Sequence, residues 1–156
     1  MKTNNSGVII IKSPKTREEY KAYYALRYRV LREPFNQQKG TEKDDYEPIS
    51  QHFMAVDKKT GDILGVVKLF EKEPGIGQFS HMAVDPSRQS QGVGHILIGA
   101  VESAALDSGY ETLGTMSRLT STRYFEKYGY RVVGLPAHYF GTIQLVWMEK
   151  NLTTAP

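Results

Sequence analysis

The period of the apolar positions changes several times along the chain, and each change marks an element. Val8 to Ile11 is an unbroken β-rich run that Ser13-Pro14 stops. Thr16-Arg17-Glu18-Glu19 has capping-box spacing and predicts the start of a helix. Along that helix Tyr20, Tyr23, Tyr24, Val30 and Leu31 share one face at the helical period. Arg27 takes a slot on this stripe where another apolar residue is expected, and Glu33-Pro34 ends the helix. Residues 35–49 are polar, with Gly40 and Pro48, and read as a loop or a short helix. His52 to Val56 and Ile63 to Phe70 read as strands joined by the tight connection Asp57-Lys58-Lys59-Thr60-Gly61. Pro74-Gly75 closes the second strand, and Ile76 to Val84 is the next.

A polar, glycine-bearing loop over 85–94 then runs into a helix with Leu97, Val101, Ala104 and Ala105 on one face. Asp107-Ser108-Gly109 stops it. Glu111 to Met116 is a strand, Thr120 to Lys127 a short helix, and Tyr130–Val133 and Thr142–Met148 the last strands. The order β-α-β-β-β-α-β-α-β-β predicts an α/β chain, one domain over 1–156, with helices packed on a mixed sheet.

Composition narrows the chemistry. The 156 residues contain no cysteine, which removes disulfides, thiolate metal sites and a cysteine nucleophile. No pair of histidines has metal-ligand spacing with a carboxylate, so no metal is expected. No apolar run approaches the ~20 residues that cross a bilayer, and Val8 to Ile11 is too short for a secretory signal. A soluble, cytoplasmic chain is expected, with no membrane partner. The net charge of +3 is spread along the sequence. It suits an anionic small ligand at least as well as nucleic acid, and no nucleic-acid partner is expected.

The strand-loop-helix unit at 76–108 is the most specific feature. Gly92 and Gly94 open a helix after a loop of small and polar residues. A helix N-terminus leaves about four N–H groups unpaired and carries roughly half a positive charge, which together favour phosphate. Arg88, Gln89 and Gln91 can add donors. The chain has no GxxxxGK[ST] string, and Gly92-Val93-Gly94-His95-Ile96-Leu97 lacks the third glycine of a dinucleotide fingerprint. What fits is Gln/Arg-x-x-Gly-x-Gly/Ala, met by Gln89-Ser90-Gln91-Gly92-Val93-Gly94 after a strand ending Met-Ala-Val-Asp-Pro.

This string resembles the acetyl-CoA loop of the GNAT superfamily of N-acetyltransferases. Thr122-Arg123-Tyr124-Phe125-Glu126-Lys127-Tyr128-Gly129-Tyr130 is similar to the later signature of that family, and the element order matches across nearly the whole chain. The resemblance implies a sheet of about seven strands with helices on both faces. It implies acetyl-CoA wedged between the strands at 76–84 and 111–117, its pantetheine along Met82, Ala83 and Val84. Its pyrophosphate would lie on the amides of Gln89, Ser90, Gln91, Gly92, Val93 and Gly94, with Arg88 adjacent. It implies direct attack by an amine, with acetyl-CoA and a small amine as partners and room for a homodimer. Phe125 stands where many relatives have a proton-donating tyrosine. Tyr124 is then the candidate acid, or else a packed core aromatic.

Leu26-Arg27-Tyr28-Arg29-Val30-Leu31-Arg32 resembles the first helix of the glyphosate-acetyltransferase branch, which acts on small amino acids and amino-phosphonates. By that resemblance Arg27 and Arg118 hold the substrate anion, for which the guanidinium fork is suited. The branch has a further arginine where this chain has Ser80, and a histidine base where it has Leu145. His138, seven residues before Leu145, is the candidate replacement base. His81 is read as facing away from Met82 unless a bulge shifts the strand's phase. Two other readings stay open: a non-catalytic acyl-CoA-binding domain, and an acetyltransferase for protein or polyamine amines. The second is drawn from the acidic loop holding Glu42, Asp44, Asp45 and Glu47.

Overall fold

Thr16 opens α1 (Arg17–Leu31) with a complete capping box: its hydroxyl accepts from the Glu19 amide at 3.0 Å, and Glu19 accepts from the Thr16 amide at 3.1 Å. This computed structural model describes residues 8–136 and 138–153; the side chains of Ser90, His138 and Tyr139 lie outside the described set. The strands are β1 (Ile9–Lys12), β2 (Gln51–Asp57), β3 (Ile63–Glu73), β4 (Ile76–Val84), β5 (Thr112–Arg118), β6 (Arg131–Val132), β7 (His138–Phe140) and β8 (Ile143–Asn151). Helices α2 (Val93–Asp107) and α3 (Thr122–Glu126) complete the set.

The strands form one sheet in the order β1-β2-β3-β4-β5-β8-β6, with β7 also paired to β8. β7 is a short strand in a stretch that the sequence suggests only as a connection. The two faces are covered by different helices. On one face α1 buries Tyr23 and Leu26 against Met54, Val56, Val66 and Ala83. On the other α2 buries Leu97, Ile98, Val101 and Ala105 with Val67, Leu69, Phe79, Leu113, Val146 and Met148. Burying a large aliphatic side chain stabilises by about 1.5–3 kcal/mol, so this second layer fixes β4 and β5 firmly.

All described strand pairs are antiparallel except β4 with β5. That parallel pair runs only through Ile76–Thr112, Gly77–Leu113 and Gln78–Gly114. Beyond it the strands separate, with one last link from the Thr115 hydroxyl to the Phe79 carbonyl at 2.9 Å. β4 also carries a bulge: its register against β3 shifts between Val66 and Lys68, where Val66 faces Ala83 and Lys68 faces Ser80. His81, inside the bulge, has φ of +55°.

Candidate functional site

The divergence of β4 from β5 opens a cleft of about 1000 Å³. One wall is β4, through Phe79, Ser80, His81, Met82 and Val84, and the other is β5, through Thr115, Met116, Ser117 and Arg118. The end of α1 and the following turn close the mouth with Arg29, Arg32 and Phe35, and the β7–β8 hairpin adds Phe140, Ile143 and Leu145. Phe35 and Phe140 meet edge to face at 5.4 Å between centroids. Arg32 lies over the Phe140 ring at 4.8 Å and Arg118 over the Phe35 ring at 5.8 Å. These two cations therefore bracket one aromatic pair at the cleft mouth. Arg118 is exposed and makes no ion pair among the described residues. Burial lowers the Arg32 guanidinium from its usual value, as does the charge of Arg27.

Arg27 is elsewhere. Its side chain is fully buried and does not line the cleft. Nη1 donates to Glu47 at 2.8 Å and to the Glu42 carbonyl at 3.0 Å, and Nη2 donates to the Tyr23 hydroxyl at 2.8 Å. Lys68, also fully buried in β3, is bonded to Glu47 at 2.7 Å and to Asp44. Burial would raise the Glu47 carboxyl, but Lys68 and Arg27 outweigh it and hold it at about 2. The Tyr23 hydroxyl lies 2.7 Å from His52 Nδ1, and His52 Nε2 lies 3.0 Å from the Glu47 carbonyl. Asp44 and Glu47 of the acidic loop are thus the counter-charge of a buried ion cluster rather than part of a solvated face. A lysine inside the apolar run Ile63 to Phe70 is the sequence signal for it.

The glycine loop has its own geometry. Residues Pro86–Gln91 form one 3-10 segment and Gly92, at φ +78°, starts α2 with no side-chain cap. A Cβ at Gly92 would meet nothing, so the backbone angle is what calls for glycine there. A Cβ on Gly94 would collide with the Tyr124 hydroxyl. Of the loop and strand residues singled out from sequence, Met82, Val84, Gln89 and Gly94 line the cleft. Ala83 and Val93 are buried in the core, and Arg88 faces Asp57 and Asp62 at 3.9 and 3.7 Å. Gln89 Nε2 reaches the Val84 carbonyl at 3.5 Å.

Tyr124 and Phe125 both line the cleft. Burial, with the Tyr128 hydroxyl, pushes the Tyr124 phenol up to about 12, so it stays protonated at neutral pH. His138 sits on β7 opposite Leu145; its side chain is outside the described residues. Arg32, Thr115 and Phe140 are cleft residues that the sequence does not single out, while Ser80, noted as a departure from the resembling branch, also lines the cleft. Of the first three, Arg32 has a signal, following the last apolar stripe residue just before Pro34.

An uncapped helix terminus, a splayed parallel pair and a long cleft between them fit a phosphate-bearing thioester: amides at one end, open strand edges along the arm. Among the described residues no group of three or more His, Asp or Glu could hold a metal, and no helix is long and apolar enough to cross a membrane. A model of the acetyltransferase (GNAT) domain matches residues 17–152. The uncharacterized N-acetyltransferase YjcF of Bacillus subtilis is 28% identical over 119 residues, 76% of this chain and 83% of that protein. An acyl-CoA N-acyltransferase structure from Pseudomonas aeruginosa superposes with a TM-score of 0.78 at 19% identity, over 91% of this chain and 97% of that one. An aminoglycoside 6'-N-acetyltransferase complexed with coenzyme A gives 0.76 at 17%, over 94% and 99%.

Proposed function

The chain belongs to the GNAT acetyltransferase family, and from that premise we propose that it transfers an acetyl group from acetyl-CoA to the primary amine of a small molecule bearing an acid group. The observation that carries the acceptor class is the pair Arg32 and Arg118 at the mouth of the cleft. The resemblance to the glyphosate-acetyltransferase branch supports the same class. Arg27, the helix arginine that matches that branch, is replaced in the role by Arg32, because Arg27 is fully buried, paired with Glu47 and away from the cleft, whereas Arg32 lines it.

Acetyl-CoA, when bound, supplies a thioester carbonyl open to attack by an amine. The chain's own residues do the rest. The α2 terminus from Gly92 offers amides and dipole to a pyrophosphate. The β4 edge around Met82–Val84 offers backbone groups to the pantetheine arm and the carbonyl. Arg32 and Arg118 orient the acceptor through its acid group. Tyr124 keeps a hydroxyl proton for the leaving sulfur, and Phe125, packed on Phe79, excludes water beside it.

The acidic loop no longer speaks for a cationic acceptor, since Glu47 and Asp44 are paired with Lys68 and Arg27. A panel of amines assayed for thiol release from acetyl-CoA tests the reading. Turnover of acid-bearing amines supports it, and turnover of polyamines or peptides alone refutes it.

A further inference from the structure

A regular strand sends successive side chains to opposite faces, yet Ser80 and His81 both line the cleft, with His81 Nδ1 3.0 Å from Ser80 Oγ. The bulge in β4 makes this possible by cancelling one alternation. It also holds His81 at φ +55°, a region where glycine is relaxed and a β-carbon is strained. A histidine that lines a cleft at a strained backbone position, where glycine would suit better, points to a role for the imidazole itself.

Resting on the acyl-transfer reading above, we propose that His81 is the proton-accepting residue of the transfer. In the tautomer this role requires, Nδ1–H donates to Ser80 Oγ, 3.0 Å away, and Nε2 receives an N–H of the acceptor amine. As the C–N bond forms and the C–S bond breaks, that N–H bond is exchanged for an Nε2–H bond. The sulfur keeps the electron pair of the broken bond and takes a proton from Tyr124, which water restores. Among the described lining residues, Asp44 is bonded to Lys68 and Leu145 has no proton acceptor. Burial lowers the imidazole to about 3, helped by Arg27 of α1, Lys68 of β3 and Arg32, while Asp44 opposes them. The imidazole is therefore neutral across the neutral range and acts on the nitrogen once C–N bonding has made it acidic.

The full-length His81→Gly variant separates this role from a structural one. Glycine relieves the positive φ, so the ligand-free protein should melt at the same temperature or higher. Turnover should fall by about 10²–10³-fold, and free imidazole in the buffer should restore part of it. His81→Asn keeps the left-handed backbone and an acceptor oxygen but takes no proton, so it should lose turnover with little change in KM. Ser80→Ala should lose about tenfold. Unchanged turnover in His81→Gly overturns the assignment, as does a loss that imidazole does not repair. Wild-type protein that releases no thiol with any amine overturns the transfer reading, and this assignment with it.

Discussion

Arg27 and Arg32 lie five positions apart at the end of one helix and have opposite fates. Arg27 is sealed under α1 among Tyr23, Glu42 and Glu47, whereas Arg32 reaches the open cleft and faces Arg118 across an aromatic pair. The same guanidinium is a buried structural tie in one place and part of the cleft lining in the other. Arg32 also donates internally, to the Thr41 and Leu31 carbonyls at 3.0 Å each, so what differs is the supply of carboxylates. The loop after α1 brings two carboxylates and a carbonyl to Arg27 and Lys68. No carboxylate is paired with Arg32 or Arg118 among the described residues.

The largest expected effect tests the sealed side. Arg27→Met strips Glu47 of one cation in a buried setting and should cost on the order of 3–5 kcal/mol in urea unfolding. Removing the carboxylate as well, in Arg27→Met/Glu47→Leu, should recover part of that loss. A near-neutral Arg27→Met would show that the cluster does not hold the loop.

The open side should respond in KM rather than in stability. Arg118→Ala should raise KM for an acid-bearing amine by one to two decades, on the order of the 1.5–3 kcal/mol of a charged hydrogen bond. Its melting temperature and CoA affinity should hardly move. Isothermal calorimetry with CoA alongside the kinetics checks both halves.

Acid titration sharpens the contrast further. The Glu47 carboxyl is lowered to about 2 on folding, so its contribution is present above its ordinary value of 4.5 and is lost as pH falls toward 2. His81, lowered from 6.5 to about 3, makes folding favourable above 6.5 and progressively less so as pH falls toward 3. Stability should therefore begin to fall below pH 6.5 because of His81 and His52, which burial also lowers, and fall faster below 4.5 because of Glu47. Chemical denaturation across pH should show His81→Gly with a shallower decline between pH 6.5 and 3, and with the Glu47 decline below 4.5 retained.

The smallest effect concerns Asp44, which lines the cleft and is bonded to Lys68. Asp44→Asn should cost about 1 kcal/mol, as the residue is partly exposed and Lys68 keeps Glu47. KM for an acidic amine should stay level or fall slightly.

The parts of this molecule that could be read from sequence are those decided locally. The Thr16 capping box, the stop at Gly109 and the loop entering α2 depend on residues within a few positions of one another. The polar faces of the helices and the mixed sheet follow from periods of 3.6 and 2. The fate of Arg27 could not be read this way, because its partners come from residues 42 and 47 and its co-tenant Lys68 from another strand. The bulge at His81 is likewise a property of pairing between β3 and β4, which no single strand encodes. The three-residue β7 carries too few positions to show a period, so its stretch resembled a connection.

The most direct test of the account is a matched pair of acceptors: one amino acid and its decarboxylated amine, assayed with acetyl-CoA by thiol release on wild type and Arg118→Ala. The account predicts that wild type prefers the amino acid by one to two decades in kcat/KM and that the variant loses most of this preference. An equal or reversed preference in the wild type would contradict it.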